Sequence, residues 1–330
     1  MFADLGKNVE SGLNAIPDFA TLLSILDGSG VILLIAVLIE LVFPIPPNMR
    51  LNRLSPFLRA LATKVNLEKN SDTQKLFAGI MLPCVVFITA WAITLLLDAI
   101  TGFDTLLALF ILPFLLNSRA PLDTAWQIFF LLRHDHKEQA RNVLQKKITR
   151  NCSRLSYMGL SKACCEYTIM AMASQWIAIM VWYALAGLEG ALIMQMSSVM
   201  FKAFSPKNNP NYKIFSIGIN RIQQFLLIPV VATCAVLAIF SMHPLCAFSA
   251  AMDASSKHPA PVSGFIEGLF GGMFDIALGG PREYGEILQR YDRLGGDMQP
   301  SAISTQLIAK RMRKTGLMFA VFCALISICS

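Results

Sequence analysis

The stretch LFAGIMLPCVVFITAWAITLLL, Leu76 to Leu97, runs for 22 residues without a charged side chain, closed by Lys75 on one side and Asp98 on the other. As an α-helix it would be about 33 Å long, against roughly 30 Å for the hydrocarbon core of a bilayer. It is also about twice the length of a membrane-spanning β-strand, so it reads as a transmembrane helix. Similar runs lie on both sides. Tyr167 to Leu188 is bounded by Glu166 and Glu189, and Ile222 to Met252 is longer than one crossing needs. Val31 to Phe43 is extended upstream by Thr21 to Ile25, with Asp27, Gly28, Gly30 and Glu40 as interruptions. Thr105 to Ser118 and Thr315 to Ser330 are shorter. The expectation is an all-α, polytopic inner-membrane protein with five to seven embedded helices.

Composition agrees. Hydrophobic residues make up 55% of the chain and charged residues 15%, where a soluble domain carries about 25% charged. The mean hydropathy is +0.56. A single water-soluble core, a disordered chain and a disulfide-framework secreted fold are all excluded. The first twenty residues carry Asp4, Glu10 and Asp18 and lack a basic-then-apolar pattern, so no cleaved signal peptide is expected. None of the eight cysteines forms a C-x-x-C pair, which favours buried reduced thiols over zinc. His134-Asp135-His136 reads as solvated surface, and His243 as an interior histidine.

The 28 Lys and Arg against 21 Asp and Glu give a net charge of +7. This excess is concentrated in loops, where the positive-inside rule uses it, and no basic platform interleaved with aromatics suggests nucleic acid. Lys64 and Arg141 are expected to face the cytoplasm and Thr101 the outside, with the N-terminus outside. The chain reads as one membrane domain, 1–330, with a basic cytoplasmic segment at 119–166 and a Gly/Pro-rich loop at 253–314. Within that loop the segment 262–278 is expected to re-enter or cross the membrane.

Ionisable residues near spans are functional candidates. Glu166 is expected to begin a helix, and Glu40 to end a span or line a cavity. The densest chemistry lies in Lys257-His258-Pro259-Ala260-Pro261, continuing through Gly264 and Glu267, and in Leu278-Gly279-Gly280-Pro281 followed by Tyr284. Cations, an imidazole and a carboxylate stand beside glycines that let backbone N–H groups approach an anion.

These two motifs, in this order and spacing, resemble the C-terminal signature of the CobD/CbiB family of cobalamin-biosynthesis membrane proteins. Ala140-Arg141, Arg150 and Trp182-Tyr183-Ala184-Leu185 resemble upstream family stretches. The resemblance implies an adenosylcobinamide-phosphate synthase-like ligase that joins aminopropanol or its phosphate to a corrinoid carboxylate, with ATP and Mg²⁺ used. It implies Glu166, His258 and Glu267 as catalytic residues, and Arg150, Lys257, Gly279, Gly280, Pro281 and Tyr284 as substrate-binding ones. His258 and Glu267 are expected to share one polar cavity with Arg150. The family's further acids along its fourth span fall here on Tyr167, Met170, Ala171, Ser174 and Gln175, and an Asp-Asp pair on Gln223-Gln224. That implies weak or absent turnover, with no metal-ligand set assignable. Two other readings are a non-enzymatic membrane sensor or partner protein resembling AmpE, and a corrinoid permease.

Overall fold

The computed structural model describes residues 29–43, 45–102, 104–206, 209–241, 243–284 and 287–329. The N-terminal reading and the upstream extension Thr21 to Ile25 lie outside the described residues. The fold is almost entirely helical. In chain order the helices are α1 (Ser29–Val42), α2 (Ser55–Val65), α3 (Asp72–Thr101), α4 (Asp104–Leu115), α5 (Arg119–Arg133), α6 (Lys137–Gln145), α7 (Tyr157–Met172) and α8 (Ala178–Ala203). There follow α9 (Tyr212–Leu226), α10 (Ile228–Ala238), α11 (Pro244–Lys257), α12 (Pro261–Met273) and α13 (Ala302–Cys329). Four three-residue strands lie between α12 and α13: β1 (Ala277–Gly279), β2 (Arg282–Tyr284), β3 (Ile287–Gln289) and β4 (Arg293–Gly295). They pair antiparallel as β1 with β4 and β2 with β3.

Five helical stretches among the described residues are long and apolar enough to cross a membrane: 72–100, 105–133, 157–203, 212–238 and 302–329. With the shorter apolar α1 this matches the expected number, and the chain is a multi-pass membrane protein. Local chemistry sets the ends of α3. Ser71 and Gln74 form a reciprocal capping box at its start. Gly102 closes it in the left-handed conformation, φ +62°, donating its N–H to the Asp98 carbonyl at 2.9 Å. Much of α3 faces outward, with Phe77, Val85, Ile88 and Leu96 each 58–65% exposed. Such a surface is stable only against lipid.

The stretch 157–203 would measure about 70 Å as one straight helix, more than twice the bilayer core. It is interrupted twice. Ala173–Ile177 is a π-helical turn, which frees the Gln175 carbonyl to accept the Asn117 backbone N–H at 3.1 Å. Ala186 and Gly187 then leave helical geometry, Gly187 with φ +64° and ψ −157°.

Glu40 is fully buried. Its carboxylate accepts Ser118 Oγ at 2.6 Å and the Ser118 N–H at 3.1 Å, and it faces Arg50 at 3.5 Å. It ties α1 to the N-terminus of α5, where the helix dipole favours an anion. It lies near the end of α1, as expected, and acts there as a buried clamp.

The 253–314 stretch is not a loop. Gly264, Gly268 and Gly272 recur every four residues along one face of α12. An added Cβ would lie 2.5 Å from His258 Cβ, 2.5 Å from Ala254 Cβ and 2.6 Å from Ala250 Cβ respectively. The glycines let α11 and α12 close into a tight helical hairpin. At 14 and 13 residues these helices are each about 20 Å long, too short to cross a bilayer. The 119–166 stretch likewise divides. Residues 119–133 continue the second span as α5 and 157–166 begin α7, so the basic segment proper, with α6, is 134–156. His243 is exposed at the start of α11, not interior. Cys152, Cys164, Cys165 and Cys234 are buried free thiols, whereas Cys246 and Cys329 are exposed.

Candidate functional site

Three parts of the chain converge at the N-terminal end of α7. The loop after α6 brings Arg150, with its backbone carbonyl held by Gln145 Nε2 at 3.2 Å. Helix α7 brings Lys162 and Glu166, one turn apart on the same face. The hairpin and strands after it bring Glu267 from α12, Arg282 from β2 and Arg293 from β4. Helix α7 starts at Tyr157, capped by Ser156, so Glu166 lies in its third turn and is not its cap.

Glu166 is 6% exposed. It pairs with Arg150 Nη2 at 2.9 Å and Arg282 Nη2 at 3.3 Å, and it accepts the Gly279 N–H at 2.8 Å. Arg282 reaches on to Glu267, 4% exposed, at 3.5 Å. The Leu278–Pro281 motif explains the Gly279 contact. Gly279 and Gly280 have φ of +70° and +85°, and a Cβ on Gly279 would lie 2.3 Å from the Asp292 carbonyl oxygen. Only glycine admits that approach, which points the N–H at Glu166.

Lys162 is half-buried, close to Gly280, and within electrostatic reach of Glu166, Arg293, Arg150 and Arg282. Neither Lys162 nor Arg293 forms an ion pair among the described residues. Arg150, Arg282 and Lys162 thus face two carboxylates, leaving one unbalanced positive charge, and Arg293, exposed on β4, lies within electrostatic reach of Lys162. That electrostatic surplus suits an anion.

His258 joins from the C-terminal end of α11. Ala247, Ala251 and Ala254 mark the buried stripe of that helix, and the next position on the stripe is 258. The ring stacks on Tyr291 at 6.2 Å, and the Arg282 guanidinium lies 4.9 Å over the same Tyr291 ring. Nδ1 is engaged by Ala260, while Nε2 is buried with no hydrogen-bond partner among the described residues. Burial pushes the imidazole below its ordinary pKa, against the Ala260 hydrogen bond. Burial, reinforced by Glu166, pushes Glu267 up to about 7 against the opposing pull of Arg282.

The sequence-derived candidates divide accordingly. Arg150, Glu166, Glu267 and the Gly279 N–H form the cluster, with His258 connected through Tyr291. Gly280 lies at its edge, beside Lys162. Lys257 points away, exposed and paired with Asp253 at 2.6 Å, because it lies a quarter-turn off the buried stripe. Pro281 is exposed, and the side chain of Tyr284 lies outside the described residues. Sequence reasoning missed Arg282, the central cation, although it directly follows the glycine-proline motif. It also missed Lys162, whose signal was its spacing of four from Glu166. No divalent ion is accommodated by this donor set: both carboxylates are bound to arginines, and no group of three or more His, Cys, Asp or Glu that could hold a metal ion occurs among the described residues.

Fold and site together define a multi-pass helical membrane protein with a buried, cation-rich ion-pair cluster at one end of its bundle. The chain belongs to the CobD/CbiB protein family, whose model matches residues 33–313. It is similar to the cobalamin biosynthesis protein CobD of Mycobacterium tuberculosis, 27% identical over 182 residues that cover 54% of this chain and 58% of the relative. The chain therefore spans little more than half the length of that relative. The CobD protein of Leptospira interrogans is 22% identical over 276 residues, covering 79% of this chain and 85% of the relative. That of a Sinorhizobium species is 25% identical over 257 residues, covering 74% and 79%. No solved structure matches the chain.

Proposed function

We propose that this protein serves cobalamin biosynthesis in the inner membrane, binding an anionic group of a pathway intermediate at the Arg150–Arg282–Lys162 cluster. The observation that carries the reading is the surplus of cations around Glu166 and Glu267. A phosphate, as in aminopropanol phosphate, or a corrinoid carboxylate supplies the missing negative charge. The reaction class is amide ligation of the aminopropanol nitrogen to the corrinoid carboxylate, with ATP as the co-substrate that activates it.

In this reading Glu166 is a positioning residue. Its carboxylate, held by two arginines and the Gly279 N–H, fixes the guanidinium planes for a ligand. Glu267 has fewer compensating contacts and a pKa near neutrality, which suits exchange of a proton with the incoming ammonium. His258 Nε2 offers an unsatisfied buried nitrogen beside the same cluster. The basic 134–156 segment and the cluster at the start of α7 fall on one side of the membrane, the cytoplasmic side under the positive-inside rule.

The test is calorimetric binding of aminopropanol phosphate and of a corrinoid acid to the purified, detergent-solubilised full chain, together with rescue of a cobamide-auxotrophic strain lacking its own synthase. Lys162→Gln removes an unpaired cation and should weaken binding about tenfold or more, the value of one charge-assisted contact. Glu267→Gln should abolish rescue while leaving binding measurable. No binding of either ligand together with no rescue would favour a non-enzymatic partner protein.

A further inference from the structure

A second feature lies away from the ion-pair cluster. Helix α13 packs beside the end of α10, and between them runs a cleft of about 590 Å³. Its α13 wall carries Lys310, Arg313 and Lys314 at one end, then Leu317, Val321 and Leu325. These positions repeat at three and four residues and so form one continuous helix face. Leu237 and Phe240 form the opposite wall. Phe240, Val321 and Leu325 are 68%, 45% and 56% exposed.

We propose that this cleft binds one molecule of an anionic phospholipid. Charge and length both support that occupant. From Lys314 to Leu325 the apolar face measures about 16 Å, close to one leaflet, half of the roughly 30 Å core. The cations sit only at the end where a headgroup lies. Among the described residues no carboxylate pairs with Arg313 or Lys314. A lipid phosphate supplies the counter-charge and an acyl chain fills the apolar length; basic pockets between spans on the cytoplasmic side are the usual setting for such headgroups. The walls are held in place independently of a ligand. Arg311, at the edge of the same helix face, donates to the Leu237 carbonyl at 3.4 Å, and the Lys310 ammonium stands 5.6 Å over the Trp126 ring. A crossing helix from a partner would have to contribute acids at one end and an apolar face beyond it.

The experiment is native mass spectrometry of the full chain in neutral detergent, titrated in parallel with phosphatidylglycerol, phosphatidylcholine and inorganic phosphate. The expected result is one phosphatidylglycerol retained at least tenfold more tightly than phosphatidylcholine, with inorganic phosphate unable to displace it. Arg313→Gln with Lys314→Gln should reduce phosphatidylglycerol to the phosphatidylcholine level, and Arg313→Lys with Lys314→Arg should restore the preference, which separates charge from misfolding. Val321→Trp, which fills the apolar channel, should weaken both lipids. Equal retention of the two lipids, or a preference untouched by Arg313→Gln with Lys314→Gln, would overturn the proposal. So would displacement by inorganic phosphate at matched concentration. A shift from dimer to monomer on Val321→Trp without loss of lipid would assign the face to a second copy of the chain instead.

Discussion

Replacing Arg282 by Gln removes a cation that pairs with both Glu166 and Glu267, and the cost can be worked out for two values of pH. Glu166 keeps Arg150 at 2.9 Å but loses a charge-assisted contact at 3.3 Å, a loss of about 2 kcal/mol. Glu267, 4% exposed, loses its ion pair. It escapes a buried unpaired charge by taking a proton, so its contribution is capped by the free energy of protonation. From a pKa of about 7, protonating it at pH 8 costs about 1 kcal/mol, and at pH 6 almost nothing. The variant is therefore expected to be less stable by about 3 kcal/mol at pH 8 and about 2 kcal/mol at pH 6. At about 2 °C per kcal/mol for a chain of this size, the midpoint falls by about 6 °C and about 4 °C. Thermal denaturation in detergent, followed by loss of the monodisperse species, reads both. A shift under 1 °C, or one equal at the two pH values, would refute the ion-pair reasoning; adding Glu267→Gln to the variant should abolish the difference between pH 8 and pH 6.

The same carboxyl predicts the pH dependence of the wild type. Its folded pKa lies above the ordinary 4.5, so the folded state binds the proton more tightly and stability rises as pH falls through about 7. Between pH 8 and 6.5 the wild-type midpoint should climb while Glu267→Gln stays flat; a parallel pair of curves would contradict the assignment. Below pH 6.5 His258, whose folded pKa is depressed by burial, acts in the opposite direction, and His258→Gln should steepen the wild-type rise. Packing gives a further expectation. A Cβ on Gly79 would lie 2.0 Å from the Phe215 carbonyl oxygen, and one on Gly218 2.5 Å from that of Gly79, so Gly79→Ala should force α3 and α9 apart and cost about 1–3 kcal/mol. Val85→Ala on the outer face of α3 should shift the detergent midpoint by less than 1 °C, and equal effects of the two would show that the crossing is not close.

Sequence by itself determined what depends on neighbours along the chain. Hydropathy summed over some twenty residues marks a span whatever it packs against, and Ser71, Gln74 and Gly102 set the limits of α3 through contacts within one turn. The clustering of chemistry around 257–284 was legible too, because loop and motif residues are close in sequence. Tertiary structure decided everything that requires distant residues to meet. The Gly264–Gly268–Gly272 stripe is compatible with a loop or a tight helix; only the alanines of α11 opposite it choose the helix. Glu40 is a span-end acid by position, and becomes a buried clamp because Ser118 and Arg50 arrive from elsewhere. Lys257 and His258 are adjacent and chemically similar candidates, yet a rotation of about 100° per residue sends one to solvent and the other towards the cluster. Arg282 acquires its central role from two carboxylates 116 and 15 positions earlier. Coulomb interactions are set by distance in space, and a linear pattern carries no record of that distance.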